Sequence, residues 1–490
     1  MDNKLKVVLA AALILRLVFW ATAPVTADAC LHFSIAKHMA EDLSVPTFEY
    51  FVGQDPYWWP PLFHIATAAV YKVTGALTIT PLIFGAAGLI VFYIFCRRFY
   101  PKHAATATII LSFLPFHTYY SAIGYVDTLI FTLSVASYYF YYSFRQDKNK
   151  KNLLYAAAAA GLSAATHYNG LIPFLAISAH MLLKDRKNAP TFIAAAALLS
   201  CPWYIRNTVV FGNPIWPKVY GGYYPAESAV MSMTPASMVA NVINPGRWAT
   251  ALFDFWLGAP NSGEDIVDNV EVAKNRYPLF ELPLVAWFIS ILWLSMLAAD
   301  AARKDWKNMM FPALVLIFCL IPFSSNGLAR MFTSAIPFAV IAMAKGYDNL
   351  SSRFKKPLLA VTLATVLIAS YAYANTYQSM RAPYQPFFNM MRDEITDNKS
   401  VIMPFNMQEC IYYSERICER VGSRWGIPRP TESNIDELLK AYDISYVCCT
   451  SMNWNAQSEN DRMICEHFKN QPPTIKYEKD GVWGSCYTVR

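Results

Sequence analysis

Apolar runs, most of them long enough for a bilayer crossing and each ended by polar or basic residues, recur along the chain and predict a mainly α-helical membrane bundle of about 11 spans. They fall at 5–23, 77–97, 102–121, 124–144, 153–166, 169–183, 189–211, 279–300, 309–323, 331–345 and 357–376. The runs 153–166 and 169–183 fall short of the ~20 residues a hydrocarbon core demands, so they are expected to be tilted or to sit in a protein-lined region. Lys4 and Lys6 precede the first run as in a signal peptide, but Arg16 interrupts it and no clean small-residue cleavage site follows; it reads as a retained span.

After the first run the pattern changes. His32, Phe33, Ile35, Ala36, Met39 and Ala40 recur at helical spacing beside Lys37, His38, Glu41 and Asp42, as in an amphipathic helix lying along a membrane surface. Basic residues cluster at Lys4/Lys6, Arg97/Arg98/Lys102, Arg145/Lys148/Lys150/Lys151, Lys184/Arg186/Lys187, Arg303/Lys304/Lys307 and Lys345/Arg353/Lys355/Lys356. All of these fall on the cytoplasmic side if Pro60 to Val73 does not cross. Three stretches are then external: a loop over 24–76, a loop over 212–278 and everything after about residue 377. The chain divides accordingly into a transmembrane domain, 1–376, and an extracytoplasmic domain, 377–490.

The last stretch carries Cys410, Cys418, Cys448, Cys449, Cys465 and Cys486. An even set of cysteines in a small non-cytosolic domain predicts at least two disulfides, with the pairing left open. A zinc site is the weaker reading, because no CxxC pair occurs and only His467 lies among them. Alternation in Ser400–Met403 and Ile444–Cys448 around a helical Ile435–Lys440 predicts a small α/β unit. Asn398-Lys399-Ser400 is an external glycosylation sequon.

Composition narrows the class. At 55% hydrophobic and 15% charged, a chain of 490 residues is too apolar for a water-soluble globule. The net charge of +7 sits in short clusters between apolar runs rather than in a stripe with interleaved aromatics, which excludes nucleic-acid binding.

Two carboxylates stand out against this background: Asp28, just after the first run, and Asp127 in Gly124-Tyr125-Val126-Asp127, at the head of another. A carboxylate near membrane depth is costly unless paired, hydrated or used, so both are candidate catalytic residues. The rival role for each is a helix cap. Glu264, Asp265, Asp268 and Glu271 read as a solvated run in the 212–278 loop.

An ordered set of short motifs resembles a known class. The aspartate after the first span, the amphipathic helix and Tyr57-Trp58-Trp59-Pro60-Pro61-Leu62-Phe63-His64 closing a large first loop are followed by Gly124-Tyr125-Val126-Asp127. Pro202-Trp203-Tyr204-Ile205-Arg206-Asn207 with Phe211-Gly212-Asn213-Pro214 comes next, and then Ala329-Arg330-Met331-Phe332 with Ile336-Pro337-Phe338. Over residues 1–380 this series resembles the large-loop GT-C membrane glycosyltransferases, most of all the protein-O-mannosyltransferase and aminoarabinose-transferase branch. The resemblance implies a sugar donor on a polyprenyl phosphate, a protein, glycan or lipid acceptor, and an active site on the extracytoplasmic face of the cell membrane. It also implies roles: Asp28 as base for the acceptor hydroxyl, Asp127 as second acidic residue, and Arg330 and then Arg206, beside Asn207, on the leaving phosphate. His167, in Thr166-His167-Tyr168-Asn169-Gly170, is placed to donate to phosphate or sugar. The aminoarabinose branch has a phosphate-binding lysine beside the Pro-Pro pair; here Trp59 stands there, with His64 the nearest substitute. No dense Asp-x-Asp motif occurs in the first loop, so a metal-independent site is expected, with a divalent cation as the alternative other branches imply. A secondary transporter or lipid flippase is the rival function, disfavoured because no two halves of the chain resemble each other.

Overall fold

The computed structural model describes residues 3–22, 25, 28–44, 59–215, 239–240, 242–244, 248, 306–326, 329–357, 360, 384–395, 400–403, 407–416, 418–419, 431–451 and 459–489. The predicted span 279–300, most of 357–376, most of the 212–278 loop with its acidic run, and Asn398 of the sequon lie outside the described residues.

The bundle begins with α1 (Asn3–Thr22). Two short helices follow, α2 (Asp28–Asp42) and α3 (Leu62–Thr74), and then α4 (Ile79–Phe99). Among the described residues α4 is the one helix that is long and apolar enough, by length and composition, to cross a membrane alone. Polar residues dilute its neighbours: α7 (Asp127–Asp147) matches it in length but buries Ser134, Ser137, Ser143, Tyr138 and Tyr141 against other helices.

The run 102–121, expected as one span, is two helices, α5 (Ala104–Phe113) and α6 (Pro115–Ile123). Pro115 has no amide hydrogen and pushes Leu114 into the extended conformation, so the helix ends there. Carbonyls freed inside an apolar bundle need donors. Arg16, fully buried, supplies one. Its Nη1 donates to Ser112 O at 2.9 Å and its Nη2 lies 2.9 Å from His117 Nδ1. The residue that interrupts the first apolar run thus closes the break in a neighbouring helix.

The two short runs form α8 (Lys150–Ala164) and α9 (Leu171–Lys184), joined through a 3-10 turn at Tyr168–Gly170. Buried Ala156, Ala157, Ala160 and Ala164 let α8 lie close between α7 and α10 (Ala189–Phe211). The described bundle is completed by α11 (Trp306–Asn326), a 3-10 turn at Ala329–Phe332, and α12 (Ile336–Asn349).

The C-terminal part is α/β. Helices α13 (Gln385–Glu394), α14 (Met407–Ser414), α15 (Ile435–Ala441) and α16 (Glu459–Phe468) accompany a five-stranded sheet. Its strands are β1 (Ser400–Ile402), β2 (Cys418–Glu419), β3 (Ile444–Thr450), β4 (Ile475–Lys479) and β5 (Val482–Thr488), ordered β2-β1-β3-β5-β4. The pairs of β1 are parallel, and the β3-β5-β4 ribbon is antiparallel.

Three disulfides hold this part together: Cys410–Cys418, Cys448–Cys486 and Cys449–Cys465. Neighbouring residues on a strand point to opposite faces. Cys448 therefore joins its cross-strand partner on β5 in one hydrophobic cluster, while Cys449 reaches α16 in another.

The second helix keeps the expected apolar face, with His32, Phe33, Ile35, Ala36 and Ala40 buried and Glu41 and Asp42 exposed. Ala29, Cys30, Leu31, His32 and Phe33 are buried in succession, so the first turns of α2 are enclosed on all sides. What encloses these turns is protein, and Lys37, His38, Glu41 and Asp42 gather near the C-terminus of the helix. The covering layer comes from the other end of the chain. Tyr412 on α14 packs on Phe33 with ring centroids 6.2 Å apart, Tyr413 Oη donates to Val25 O at 2.9 Å, and Lys37 Nζ reaches Glu415 Oε1 at 2.7 Å.

The chain-entropy view of disulfides, in which longer closed loops stabilise more, ranks the three. Paired Cys→Ser removal is expected to cost most at Cys448–Cys486, which closes 38 residues, less at Cys449–Cys465 (16), and least at Cys410–Cys418 (8). The expected costs are roughly 4, 3 and 2.5 kcal/mol. Thermal unfolding of the three variants in detergent, with non-reducing peptide mapping of the pairing, checks the order.

Candidate active site

Three segments distant in sequence meet where α7 begins. Gly124 has φ +96°, a left-handed conformation that ends α6 and turns the chain into α7. The ring of Phe33 from α2 lies directly on it: a Cβ at position 124 would sit 2.3 Å from Phe33 Cζ. Gly124 thereby seats the helix that Asp28 opens against the loop that carries Asp127.

Asp127 is 2% exposed. Thr333 Oγ1 lies 3.0 Å from its Oδ1 and 2.7 Å from Arg330 O, so a single hydroxyl hydrogen shared between the two acceptors ties the Ala329–Phe332 turn to the start of α7. Arg330 is half-buried, its guanidinium 5.6 Å from the centroid of the Tyr125 ring. Further along α7, Ser134 Oγ lies 3.1 Å from Ser334 Oγ, and Tyr138 Oη donates to Ser334 O at 3.1 Å. Asp127 and Arg330 are thus presented from one well-fastened surface.

A second group assembles at the break between α8 and α9. Gly170 is required there by close approach, since a Cβ would fall 1.8 Å from Ser163 O. His167 caps the 3-10 turn: its Nδ1 accepts from Asn169 N at 3.2 Å. The neutral ring therefore carries its hydrogen on Nε2, as a donor. Asn207, fully buried, donates from Nδ2 to Tyr168 Oη at 3.1 Å and accepts from Arg206 Nη1 at 3.0 Å. Arg206 also stacks on Trp203, 4.9 Å from the ring centroid. The Pro202–Asn207 segment is thus fastened to the His167–Gly170 segment through Asn207 and Tyr168.

The helix α2 touches both groups. Phe33 meets Gly124, while Leu31 and Ile35 share a hydrophobic cluster with Trp59, Tyr168 and the C-terminal residues Tyr384, Phe387 and Cys448. His64, proposed from the sequence as a phosphate contact, is fully buried beside Trp59, its Nε2 2.8 Å from His32 Nδ1. Burial, then the nearby His32 and His167, hold the His64 imidazole well below its ordinary pKa, so it is neutral at physiological pH.

Asp28 is the first residue of α2. Among the described residues no three His, Cys, Asp or Glu side chains converge as ligands for a cation. Thr333, Tyr168 and His32 were not singled out in the sequence as site residues. His32 had a signal, an imidazole on the apolar face of a helix one turn after Asp28; Thr333 had none beyond its nearness to Arg330.

Residues 59–205, from Trp59 through Gly124–Asp127 to Ile205, match the family model described as dolichyl-phosphate-mannose-protein mannosyltransferase. No curated protein matches the chain in sequence. Among solved structures the chain is similar to ArnT from Cupriavidus metallidurans bound to undecaprenyl phosphate, at 12% identity and TM-score 0.63, covering 98% of this chain and 97% of that one. The apo state of the same ArnT gives 11% identity, TM-score 0.60 and the same coverage. The fold is that of the GT-C glycosyltransferases. The GT-C resemblance read from the ordered motifs over residues 1–380 is borne out, and the likeness of fold extends beyond it into the C-terminal α/β part. At this level of identity the structural likeness speaks for the fold alone.

The Phe33–Gly124 contact yields a stability prediction. Gly124→Ala adds a methyl against the ring and forces a left-handed backbone on alanine, and is expected to destabilise by on the order of 2 kcal/mol. Adding Phe33→Leu relieves the contact but not the backbone strain, so the double variant is expected to recover only part of the loss in a detergent thermal-shift assay.

Proposed function

We propose that the chain transfers a sugar from a polyprenyl-phosphate donor to a hydroxyl acceptor on the extracytoplasmic face of a membrane. The observation that carries this reading is the convergence at the start of α7: the α2 helix on Gly124, the Thr333 bond to Asp127, and Arg330 over Tyr125. A buried acid and a cation tied through one threonine suit a reaction in which an acceptor is oriented and a phosphate leaves with negative charge. The match of residues 59–205 to a family named for lipid-phosphate mannosyl donors supports the donor class, as does the lipid phosphate bound in the similar ArnT structure. Three disulfides in the C-terminal part support its placement in an oxidising compartment.

In this reading the acceptor oxygen attacks the anomeric carbon as the bond from that carbon to the phosphate oxygen breaks, inverting the centre. The hydroxyl proton passes to the carboxylate of Asp28. Arg330 takes the departing phosphate with its planar fork, and Arg206, held by Asn207 and Trp203, serves as the second cation. His167 donates from Nε2 to phosphate or sugar oxygen. Asp127, bonded to Thr333, orients the acceptor and holds the Arg330 turn. His64 supports the loop from behind Trp59 rather than from the donor's side.

Asp28→Asn keeps size and capping ability while removing the proton acceptor. Transfer from polyprenyl-phosphate sugars by the purified variant is expected to fall by at least ~10²-fold with folding unchanged. Near-normal turnover would exclude Asp28 as the base. Transport of the lipid without sugar transfer by the wild-type protein would exclude the reading itself.

Arg330→Lys keeps the charge but loses the fork. Donor KM is expected to rise by about tenfold or more while the dependence on acceptor concentration stays near wild type. Donor-titration kinetics check this.

A further inference from the structure

Two imidazoles meet behind the acidic motif that opens α2. His32, one turn after Asp28 on the same helix, and His64, in the first turn of α3, bring Nδ1 and Nε2 to 2.8 Å. Both are shut away from solvent, at 3% and 0% exposure, among the rings of Trp59 and Phe63. A ring-nitrogen contact of this length needs one N–H donor and one bare nitrogen, so the bond is directional. Apolar contacts around it permit small sliding of α2 on α3, whereas a buried hydrogen bond resists it, because parting leaves two polar atoms unmet. The first turn of α3 is fixed in its own right: Leu62 N donates to Ala165 O at 2.9 Å, just beyond the end of α8 and two residues before His167.

Residues four apart on a helix share a face, so His32 marks the side of α2 from which Asp28 starts. The chain of contacts therefore runs from the Asp28 face of α2 through His32 and His64 to Leu62, and on to the segment of His167. None of the steps assigned to the transfer reaction uses either of the two histidines in this bond.

We propose that the His32–His64 hydrogen bond is a positioning device that sets the reach of Asp28 toward the acceptor hydroxyl relative to the donor-side segment at His167. The proposal rests on the transferase reading above. Both histidines are positioning residues: they act through the placement of α2, and the turnover step depends on the bond rather than on a proton moving through it. Sub-ångström displacement of a base is enough to lower turnover, since a misplacement of about 1 Å costs on the order of 10²-fold.

The test exploits the different lengths of the two amides. Asparagine places its amide where His Nδ1 lies, and glutamine where Nε2 lies. His32→Asn and His64→Gln therefore preserve the bond, while His64→Asn falls short of it. Full-length protein in detergent, assayed with polyprenyl-phosphate sugars, is expected to keep kcat within about threefold of wild type for H32N and H64Q. It is expected to lose at least about tenfold in kcat for H64N, with donor KM within about twofold and a melting temperature lowered only by the few degrees that one lost buried hydrogen bond costs. Wild-type-like kcat in H64N overturns the proposal. So does an H64Q as impaired as H64N, which means the imidazole's ionisation matters instead of the bond, and so does a fall of kcat joined by a several-fold rise in donor KM, the mark of a generally loosened site. If H64N cannot be purified folded, the decision passes to H32N and H64Q: a loss beyond about tenfold in either, with its melting temperature intact, overturns the proposal, and retained activity in both supports it. Wild-type protein that transfers no sugar sinks the transferase reading and this role with it, whereas active wild type with active H64N sinks this role alone.

Discussion

Burial of α2 is the constraint on which the arrangement depends. A helix carrying Lys37, His38, Glu41 and Asp42 near its end is not an obvious core element, yet its first turns are enclosed on all sides. Enclosure depends on two neighbours: Gly124, which has no side chain to oppose Phe33, and the C-terminal part, which supplies Tyr412 from α14 and Glu415 just after it as a covering layer. Burial of several large apolar side chains, each worth about 1.5–3 kcal/mol, holds the helix down. Asp28 opens this helix, so its place in the fold follows the packing of α2.

The bundle beneath uses polar contacts where a uniformly apolar one has no directional preference. Each marks a place where regular helix stops. Arg16 meets the carbonyl left at the α5–α6 break, Thr333 links the turn at 329–332 to Asp127, and Asn207 joins Tyr168 to Arg206. In a low-dielectric interior such groups are costly unless met, so each pair specifies one relative placement of its two segments. The candidate site occupies the same irregular stretches. An unbroken helix spends its backbone groups on itself, whereas breaks leave side chains and backbone free to face a ligand.

The C-terminal part is more than an appendage to the bundle. Tyr384, Phe387, Phe388 and Met391 share one hydrophobic cluster with Leu31, Ile35, Trp59 and Tyr168. The Cys410–Cys418 bond closes the end of α14, the helix that covers α2. Loosening this part uncovers apolar surface on α2, which couples its folding to the geometry around Asp28.

Much of this was written in the sequence because it depends on local physics. Apolar run length predicted α1, α4 and α10 nearly to their ends, period-2 alternation predicted β1 and β3, and six cysteines in one segment predicted disulfides. The order of the motifs was enough to name the GT-C resemblance. What it left open were relations between residues far apart in the chain. The Pro115 break within 102–121 has a local cause, but its repair by Arg16 spans 96 residues. The pairing of six cysteines, the bond between Thr333 and Asp127, and the contact between His32 and His64 likewise have no periodicity to betray them. The amphipathic pattern of α2 marked its buried face but not what covers it: a pattern tells which residues avoid water, and only the tertiary structure decides whether lipid or a distant part of the same chain covers them.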